Sequence, residues 1–245
     1  MGYCRKDGKG RITTILITFA ILIFLVITAY ASYKMIYEDD HSMRDMIQSR
    51  NFSAIYDFYA ASNPVIGGRS YYGYENASIT MVGYLDPSSD SSRFFINEIF
   101  PQIEEDFIST GKIRFYNKNY ITEDDIKKRN ERFIYSQSQL CFGKLNAEKL
   151  YNFYFGLFSI EAADVLGLAD RYGVSKDELY RCMEEEEFEE IKQDIAETKT
   201  FRIAGDPRFY IGLMGRDNTV LEGVPSYERL RKEIKDYQAM IGDKE

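Results

Sequence analysis

Runs of apolar residues and their spacing divide the middle of the chain into elements. The run Ile79–Leu85 is apolar throughout apart from Thr80 and Gly83 and predicts a buried strand, while the alternation over residues 112–119 predicts a second strand. Between them, residues 91–109 carry apolar side chains at helical spacing, which predicts a helix that is kinked at Pro101 and ends before Gly111. A strand, a helix and a strand in this order predict a parallel pair joined by a right-handed crossover.

The next stretch, residues 122–200, has helical spacing almost throughout. Turn-like breaks at Gly143, Ser159 and Gly173 predict four helical segments, over residues 123–142, 146–158, 161–171 and 175–198. Four consecutive glutamates at 184–187 are interpreted as a solvated helix face.

Strand patterns return near the C-terminus. Residues 207–212 and 219–222 predict two strands joined by a hairpin turn at 215–218, and Ser226 is the expected cap of a last amphipathic helix that ends near Ile241. The chain therefore reads as an α/β domain, residues 73–121 and 201–245, with a helical subdomain, residues 122–200, inserted in its middle.

The N-terminal part has a different pattern. Residues 12–33 carry no charge and are long enough for a helix that crosses the ~30 Å hydrocarbon core of a bilayer. Basic residues precede this segment and acidic residues follow it, which predicts a cytoplasmic N-terminus at 1–11, a signal-anchor helix at 12–33, a juxtamembrane stalk at 34–72 and a domain outside the cell membrane. The alternative is a cleaved signal peptide, because Ala29-Tyr30-Ala31 resembles a cleavage site. Both interpretations export the domain.

Composition excludes several kinds of chemistry. The chain has 31 Lys and Arg against 39 Asp and Glu, a net charge of −8, which argues against a nucleic-acid partner. Its one histidine, His41, lies in the stalk, so neither a metal site nor a histidine-assisted serine nucleophile is expected, and no cofactor is implied. Asn51 and Asn76 begin glycosylation sequons, whose use depends on the host.

The junction between the first strand and the first helix reads Ser89-Asp90-Ser91-Ser92. Side-chain oxygens of this kind suit the first turn of a helix, where they accept hydrogen bonds from free backbone N–H groups. A serine hydroxyl is not ionised at neutral pH, so the junction carries no activated nucleophile of its own.

The order of elements and four landmarks together resemble the DsbA family of thioredoxin-like proteins over residues 73–241. The landmarks are Gly73 with Ala77 before the first strand, Asp86 three residues ahead of Ser89, Gly205-Asp206-Pro207 before a later strand, and Gly223 with Tyr227-Glu228 at the last helix. The resemblance places the family's Cys-x-x-Cys pair on Ser89 and Ser92, and it implies that Pro207 is cis and faces them.

The resemblance also bears on the two cysteines of the helical block. Cys141 and Cys182 resemble the additional cysteines that some family members carry there, which implies a structural disulfide. A cis proline at the start of a strand leaves the preceding backbone free to pair with an extended peptide, so Asp206 and Pro207 are the expected groove residues, and Asp206 favours basic segments.

These observations lead to one functional prediction and one alternative. The chain is predicted to be a membrane-anchored, extracytoplasmic, redox-inactive DsbA-like domain that binds extended polypeptides or has a structural role. Alternatively, it is a thiol-disulfide oxidoreductase or isomerase that acts through Cys141 and Cys182 or with a helper protein.

Overall fold

The computed structural model describes Thr28 and residues 63–213 and 218–242. The predicted N-terminus 1–11, all of the predicted anchor 12–33 except Thr28, most of the stalk, Asn51 and positions 215–217 of the hairpin turn lie outside the described residues. Within the residues described, no helix has the length and apolar character needed to cross a membrane.

A mixed five-stranded sheet forms the center of the fold, in the order β1-β3-β2-β4-β5. The strands are β1 (Tyr72–Gly73), β2 (Ile79–Leu85), β3 (Ile113–Asn119), β4 (Arg208–Leu213) and β5 (Asn218–Glu222). β2 pairs with β3 in parallel, as the sequence predicts, and the other pairings are antiparallel. β2 lies in the middle of the sheet and every residue in it is buried. Its C-terminal end therefore holds the residues that follow in a defined position.

The crossover between β2 and β3 is a helix with irregular turns. It consists of α1 (Asp90–Phe94), a π-helical turn (Phe95–Ile99), α2 (Phe100–Ile103) and a second π-helical turn (Glu104–Ile108). Pro101 lies in the first turn of α2, where its missing N–H cannot continue the regular ladder of hydrogen bonds. The predicted interruption at Pro101 therefore takes the form of a π-helical turn just before it.

The helical block contains six α-helices where the spacing predicted four segments. They are α3 (Glu123–Lys128), α4 (Glu131–Leu145), α5 (Leu150–Leu157), α6 (Val165–Arg171), α7 (Lys176–Glu185) and α8 (Glu189–Thr200). The prediction of one helix over 175–198 is wrong, because Glu186 has an extended backbone and ends α7. The glutamates 184–187 consequently straddle a helix end, where Glu184 pairs with Arg129 at 2.6 Å and Glu186 with Lys144 at 2.5 Å.

The last helix, α9 (Tyr227–Gly242), begins as predicted after Ser226, whose hydroxyl oxygen accepts from the Arg229 N–H at 3.3 Å. It covers one face of the sheet with Leu230 and Ile234.

Aromatic packing joins the sheet, the crossover helix and the helical block into one core. Phe95 lies 4.3 Å from Phe209 between ring centroids, and Phe142 stacks on Phe153 at 4.1 Å inside the helical block. Sheet and helical block belong to one compact unit, Tyr59–Glu245. The end of β2, the start of α1 and the loop before β4 are thereby held at one edge of the sheet.

Candidate functional site

Ser89 lies at the N-cap position of α1, but its side chain does not cap the helix. Its backbone is extended, and its hydroxyl makes no bond to an N–H of the first turn. The expectation that the serine oxygens of this junction cap the helix is therefore wrong for Ser89. Its hydroxyl instead forms a hydrogen bond with the carboxylate of Asp206.

Ser92 is buried and joins two loops that are distant in sequence. Its Oγ accepts a hydrogen bond from the Asp86 N–H at 3.2 Å and donates one to Oδ2 of Asp206 at 2.7 Å. The hydroxyl thus uses both its donor and an acceptor position within the protein. A residue that is fully buried and hydrogen-bonded in this way is not available as a nucleophile.

The loop before β4 faces these serines. The peptide bond between Asp206 and Pro207 is cis, as expected, and the Pro207 carbonyl accepts from the Gly223 N–H at 2.9 Å. Burial raises the pKa of the Asp206 carboxyl above its ordinary value, and hydrogen bonds from Ser92 and Ser89 offset part of this effect. The site therefore holds one acidic group whose charge is stabilised mainly by serine hydroxyls.

Asp86, at the end of β2, connects the site to the helical block. It is 1% exposed, and its Oδ1 accepts from the Ser88 N–H at 2.8 Å and the Ser88 hydroxyl at 2.6 Å. Arg132 of α4 donates from Nε to Oδ2 of Asp86 at 2.6 Å and forms a second ion pair with Asp125 at 3.1 Å. This arginine thereby fixes the start of α4 against the site.

Arg93, in α1, makes a second connection between the site and the helical block. Its guanidinium donates to the Pro87 carbonyl at 2.6 Å and to the Ile160 carbonyl at 2.8 Å, and it lies 3.4 Å from Glu161. The loop that precedes α6 is thus held at the mouth of the site.

Cys141 of α4 and Cys182 of α7 form a disulfide, with their Cα atoms 5.8 Å apart. Cys141 is fully buried and Cys182 is half-buried. The bridge lies inside the helical block and not at the junction of β2 and α1, so the structure places the two cysteines away from Ser89, Ser92 and Pro207.

The sequence-based prediction found Ser89, Ser92, Asp206 and Pro207, and the structure brings these four residues together. It singled out Asp86 only as a landmark, and it missed Arg132 and Arg93. No sequence pattern marks Arg132 as the partner of Asp86, which lies 46 residues away. The position of Asp86 directly after a buried strand is nevertheless a signal that its carboxylate is paired, because buried carboxylates nearly always have a partner. Among the residues described, no cluster of acidic, histidine or cysteine side chains is suited to a metal ion.

Comparison with known proteins identifies the class of fold and then the family. The chain has a DsbA-like, thioredoxin-like α/β fold: it is similar to the crystal structure of oxidised BdbD from Bacillus subtilis, with a TM-score of 0.64 and 19% identity over 72% of this chain and 96% of that one. It is also similar to Wolbachia pipientis alpha-DsbA1, with a TM-score of 0.64 and 17% identity over 74% and 97% of the two chains. Chlamydia trachomatis DsbA matches with a TM-score of 0.59 and 15% identity over 72% and 94%.

The family model described as Thioredoxin matches residues 66–236, and the chain belongs to that family. The search of curated proteins found no match.

Proposed function

We propose that this chain is a polypeptide-binding module with a DsbA-like fold in which the family's dithiol site has been replaced by a hydrogen-bonded serine–aspartate site. The observation that carries the proposal is the bond from Ser92 Oγ to Asp206 Oδ2 at 2.7 Å, beside the cis peptide bond of Pro207. One similar chain, alpha-DsbA2 from Wolbachia pipientis, is named a thiol-disulfide exchange protein. In this chain, the junction on which the resemblance places the family's cysteine pair carries serine hydroxyls beside a carboxylate.

The chemistry of the junction supports a binding role. A thiolate at a helix N-terminus is stabilised by the helix dipole and by free N–H groups, and it attacks disulfides through a mixed disulfide. A serine hydroxyl remains protonated in the same place and forms no such intermediate. Ser92 is in addition buried, so the site offers no reactive group to a substrate disulfide.

The surface around the junction supports a polypeptide as the ligand. Phe94, two residues beyond Ser92, is 55% exposed, and Val224, next to the residue that binds the Pro207 carbonyl, is 37% exposed. Exposed apolar side chains beside an acidic group suit a segment that carries both apolar and basic residues.

We also propose that the module faces the outside of the cell membrane and is held there by residues 12–33. The support is the uncharged run in the sequence with basic residues before it and acidic residues after it. Protease treatment of intact cells that express the full chain should degrade the domain, while the shortened product stays in the membrane fraction after alkaline washing. Recovery of the intact domain in the medium would instead indicate cleavage of a signal peptide.

Peptide binding to the purified full-length chain tests the functional proposal. Fluorescence anisotropy titrations would use labelled extended peptides of Ser and Gly that carry either one Arg or one Glu. We expect the Arg peptide to bind more tightly, and Asp206→Asn to weaken its binding by about fivefold, the effect of removing one charge pair at a partly exposed site. The matched control is Asp170→Asn, an exposed aspartate of α6, which should leave binding unchanged.

Two results would contradict the proposal. One is equal binding of the Arg and Glu peptides, and the other is an effect of Asp170→Asn as large as that of Asp206→Asn.

A thiol-disulfide oxidoreductase that acts through Cys141 and Cys182 is the alternative. The observation in its favour is the partial exposure of Cys182, because exchange requires that a thiol reach the sulfur. Against it, Cys141 is fully buried in the aromatic core of the helical block.

A further inference from the structure

The helical block carries an apolar groove of about 240 Å³ between α4, α6 and α7. Its walls are made by aromatic and aliphatic side chains from three helices and from the turn before α6: Phe133, Ile134, Ala162, Val165, Leu166, Tyr180 and Met183. Tyr180 is 56% exposed, and Ile134 and Met183 are only partly buried, so these walls present apolar surface to solvent.

The size and the chemistry of the groove restrict its occupant. Cavities that hold drug-sized molecules or cofactors measure about 300–1,000 Å³, which is more than this groove offers, whereas one or two side chains fit. The polar groups at its edge already have partners: Arg129 pairs with Glu184 at 2.6 Å, and the Gln137 amide donates to the Met183 carbonyl at 3.0 Å. Recognition in the groove therefore depends on apolar contact.

The groove is formed partly by residues that directly follow the two contacts between the helical block and the serine–aspartate site. Phe133 directly follows Arg132, which binds Asp86, and Ala162 lies two residues after Ile160, whose carbonyl is held by Arg93. The start of α4 and the turn before α6 thus contribute both to the contacts of the site and to the walls of the groove.

The segments that link the site to the groove carry exposed acidic residues: Asp90 at the start of α1, Glu131 at the start of α4 and Glu161 beside the wall residue Ala162. Glu161 forms an ion pair with Arg93 at 3.4 Å, whereas Asp90 and Glu131 form no ion pair within the part of the chain that the structure describes. A polypeptide that follows these segments is favoured when it carries basic residues and disfavoured when it carries acidic ones.

We propose that the groove is a second subsite of the same surface, and that it receives one large aliphatic or aromatic side chain of an extended, basic polypeptide segment. This inference rests on the proposed function, since it requires that a polypeptide lie across Asp206. The segment is recognised by two features at a fixed separation, a basic residue at the serine–aspartate site and an apolar residue in the groove.

Binding of a peptide series to the full-length chain tests this inference. Each labelled peptide carries one Arg and one Leu separated by three to eight Ser or Gly residues, and a matched series has Ser in place of Leu. We expect Leu to tighten binding about tenfold within a narrow range of separations, which corresponds to burial of one leucine side chain.

Ala163→Glu, at an exposed position of the groove, should abolish the gain from Leu without weakening the Leu-free peptide. The matched control Ala239→Glu, at an exposed position of α9, should leave the gain intact.

The outcomes separate the two proposals. If the Leu-free Arg peptide binds and depends on Asp206, but Leu adds nothing at any separation or its gain survives Ala163→Glu, the groove proposal is overturned and the function is retained. If no Arg peptide binds, both are overturned.

Discussion

Ser92 stands between two carboxylate-bearing loops, and its hydroxyl satisfies a backbone N–H of one and a carboxylate of the other. A cysteine at this position would place its sulfur beside Asp206, and a neighbouring negative charge raises the pKa of a thiol. Asp206 therefore accepts a hydrogen bond from the hydroxyl of Ser92, but it would disfavour the ionisation of a cysteine thiol in the same place.

This match leads to a prediction about restoring the dithiol. The double substitution Ser89→Cys/Ser92→Cys should install measurable reduction of a model disulfide if the assignment of the junction is right. Adding Asp206→Val should raise the rate further by about threefold, because a thiol pKa lower by about one unit raises the thiolate fraction about tenfold while the thiolate becomes a weaker nucleophile. Equal rates for the two variants would argue against contact between residue 206 and the installed thiol, and no activity in either would argue against the assignment of the junction.

The half-buried carboxyl of Asp206 also predicts a pH dependence of stability. Since burial raises its pKa in the folded state, the folded protein holds this proton more tightly than the unfolded chain does. The resulting stabilisation is fully present below the ordinary pKa of a carboxyl, about 4, and is lost as pH rises through the folded-state pKa.

Asp206→Asn removes the group that titrates, so the loss of stability with rising pH that it causes should disappear. Urea unfolding at a series of pH values should show that the variant gains stability relative to the natural chain as pH rises across this range. The exposed Asp170→Asn variant is the control and should follow the natural chain. A constant difference at all pH values would contradict the raised pKa.

At the scale of elements, the disulfide joins α4, which carries Arg132 into the site, to α7. Loss of the cross-link in Cys141→Ser/Cys182→Ser should lower the free energy of unfolding by about 2–4 kcal/mol. Denaturant unfolding with and without a reductant provides the check: the natural chain should lose stability on reduction, and the variant should not respond. A variant as stable as the oxidised natural chain would show that the bridge has no structural effect.

A buried cluster of charges joins three other elements: the segment before β1, strand β3 and helix α8. Asp194 of α8 pairs with Arg69 at 2.6 Å, lies 3.4 Å from Lys118 and accepts from the Asn119 N–H at 3.0 Å. Asp194→Ala should destabilise the fold by about 3–5 kcal/mol, because two cations would lose a partner in the interior. The exposed Glu187→Ala, which removes a surface partner of Lys192, is the control and should change stability by less than about 1 kcal/mol.

The sequence predicted the elements where local pattern determines them. The strand Ile79–Leu85 and the start of α9 agree with the prediction, because an apolar run and a serine cap are local signals. The break at Glu186 has no glycine or proline to mark it, so α7 and α8 were predicted as one helix. The two-residue strand β1 depends on its pairing with β3, which no local pattern carries.

For the site, too, the sequence predicted the residues with local signals and missed the contacts between distant parts of the chain. Its serines, Asp206 and Pro207 follow from their places at element junctions and from the resemblance to a known family. The contacts of Arg132 with Asp86 and of Arg69 with Asp194 span 46 and 125 residues, and only the folded chain brings these groups together.

At the scale of the whole molecule, a DsbA-like fold holds a group of hydroxyl and carboxyl side chains where β2 meets α1, and the disulfide between Cys141 and Cys182 lies in the helical block. Arg93 and Arg132 connect the helical block to the sheet on either side of that site. The proposed selection of a polypeptide by the spacing of its side chains requires that these contacts keep the two subsites at a fixed separation.

Thiol-disulfide exchange by the purified full-length chain tests the central claim most directly. The natural chain, supplied with a model disulfide substrate and a thiol reductant, should show no turnover above the uncatalysed rate, and Cys141→Ser should leave that result unchanged. Turnover by the natural chain that disappears in Cys141→Ser would contradict the account and establish the helical-block cysteines as the reactive pair.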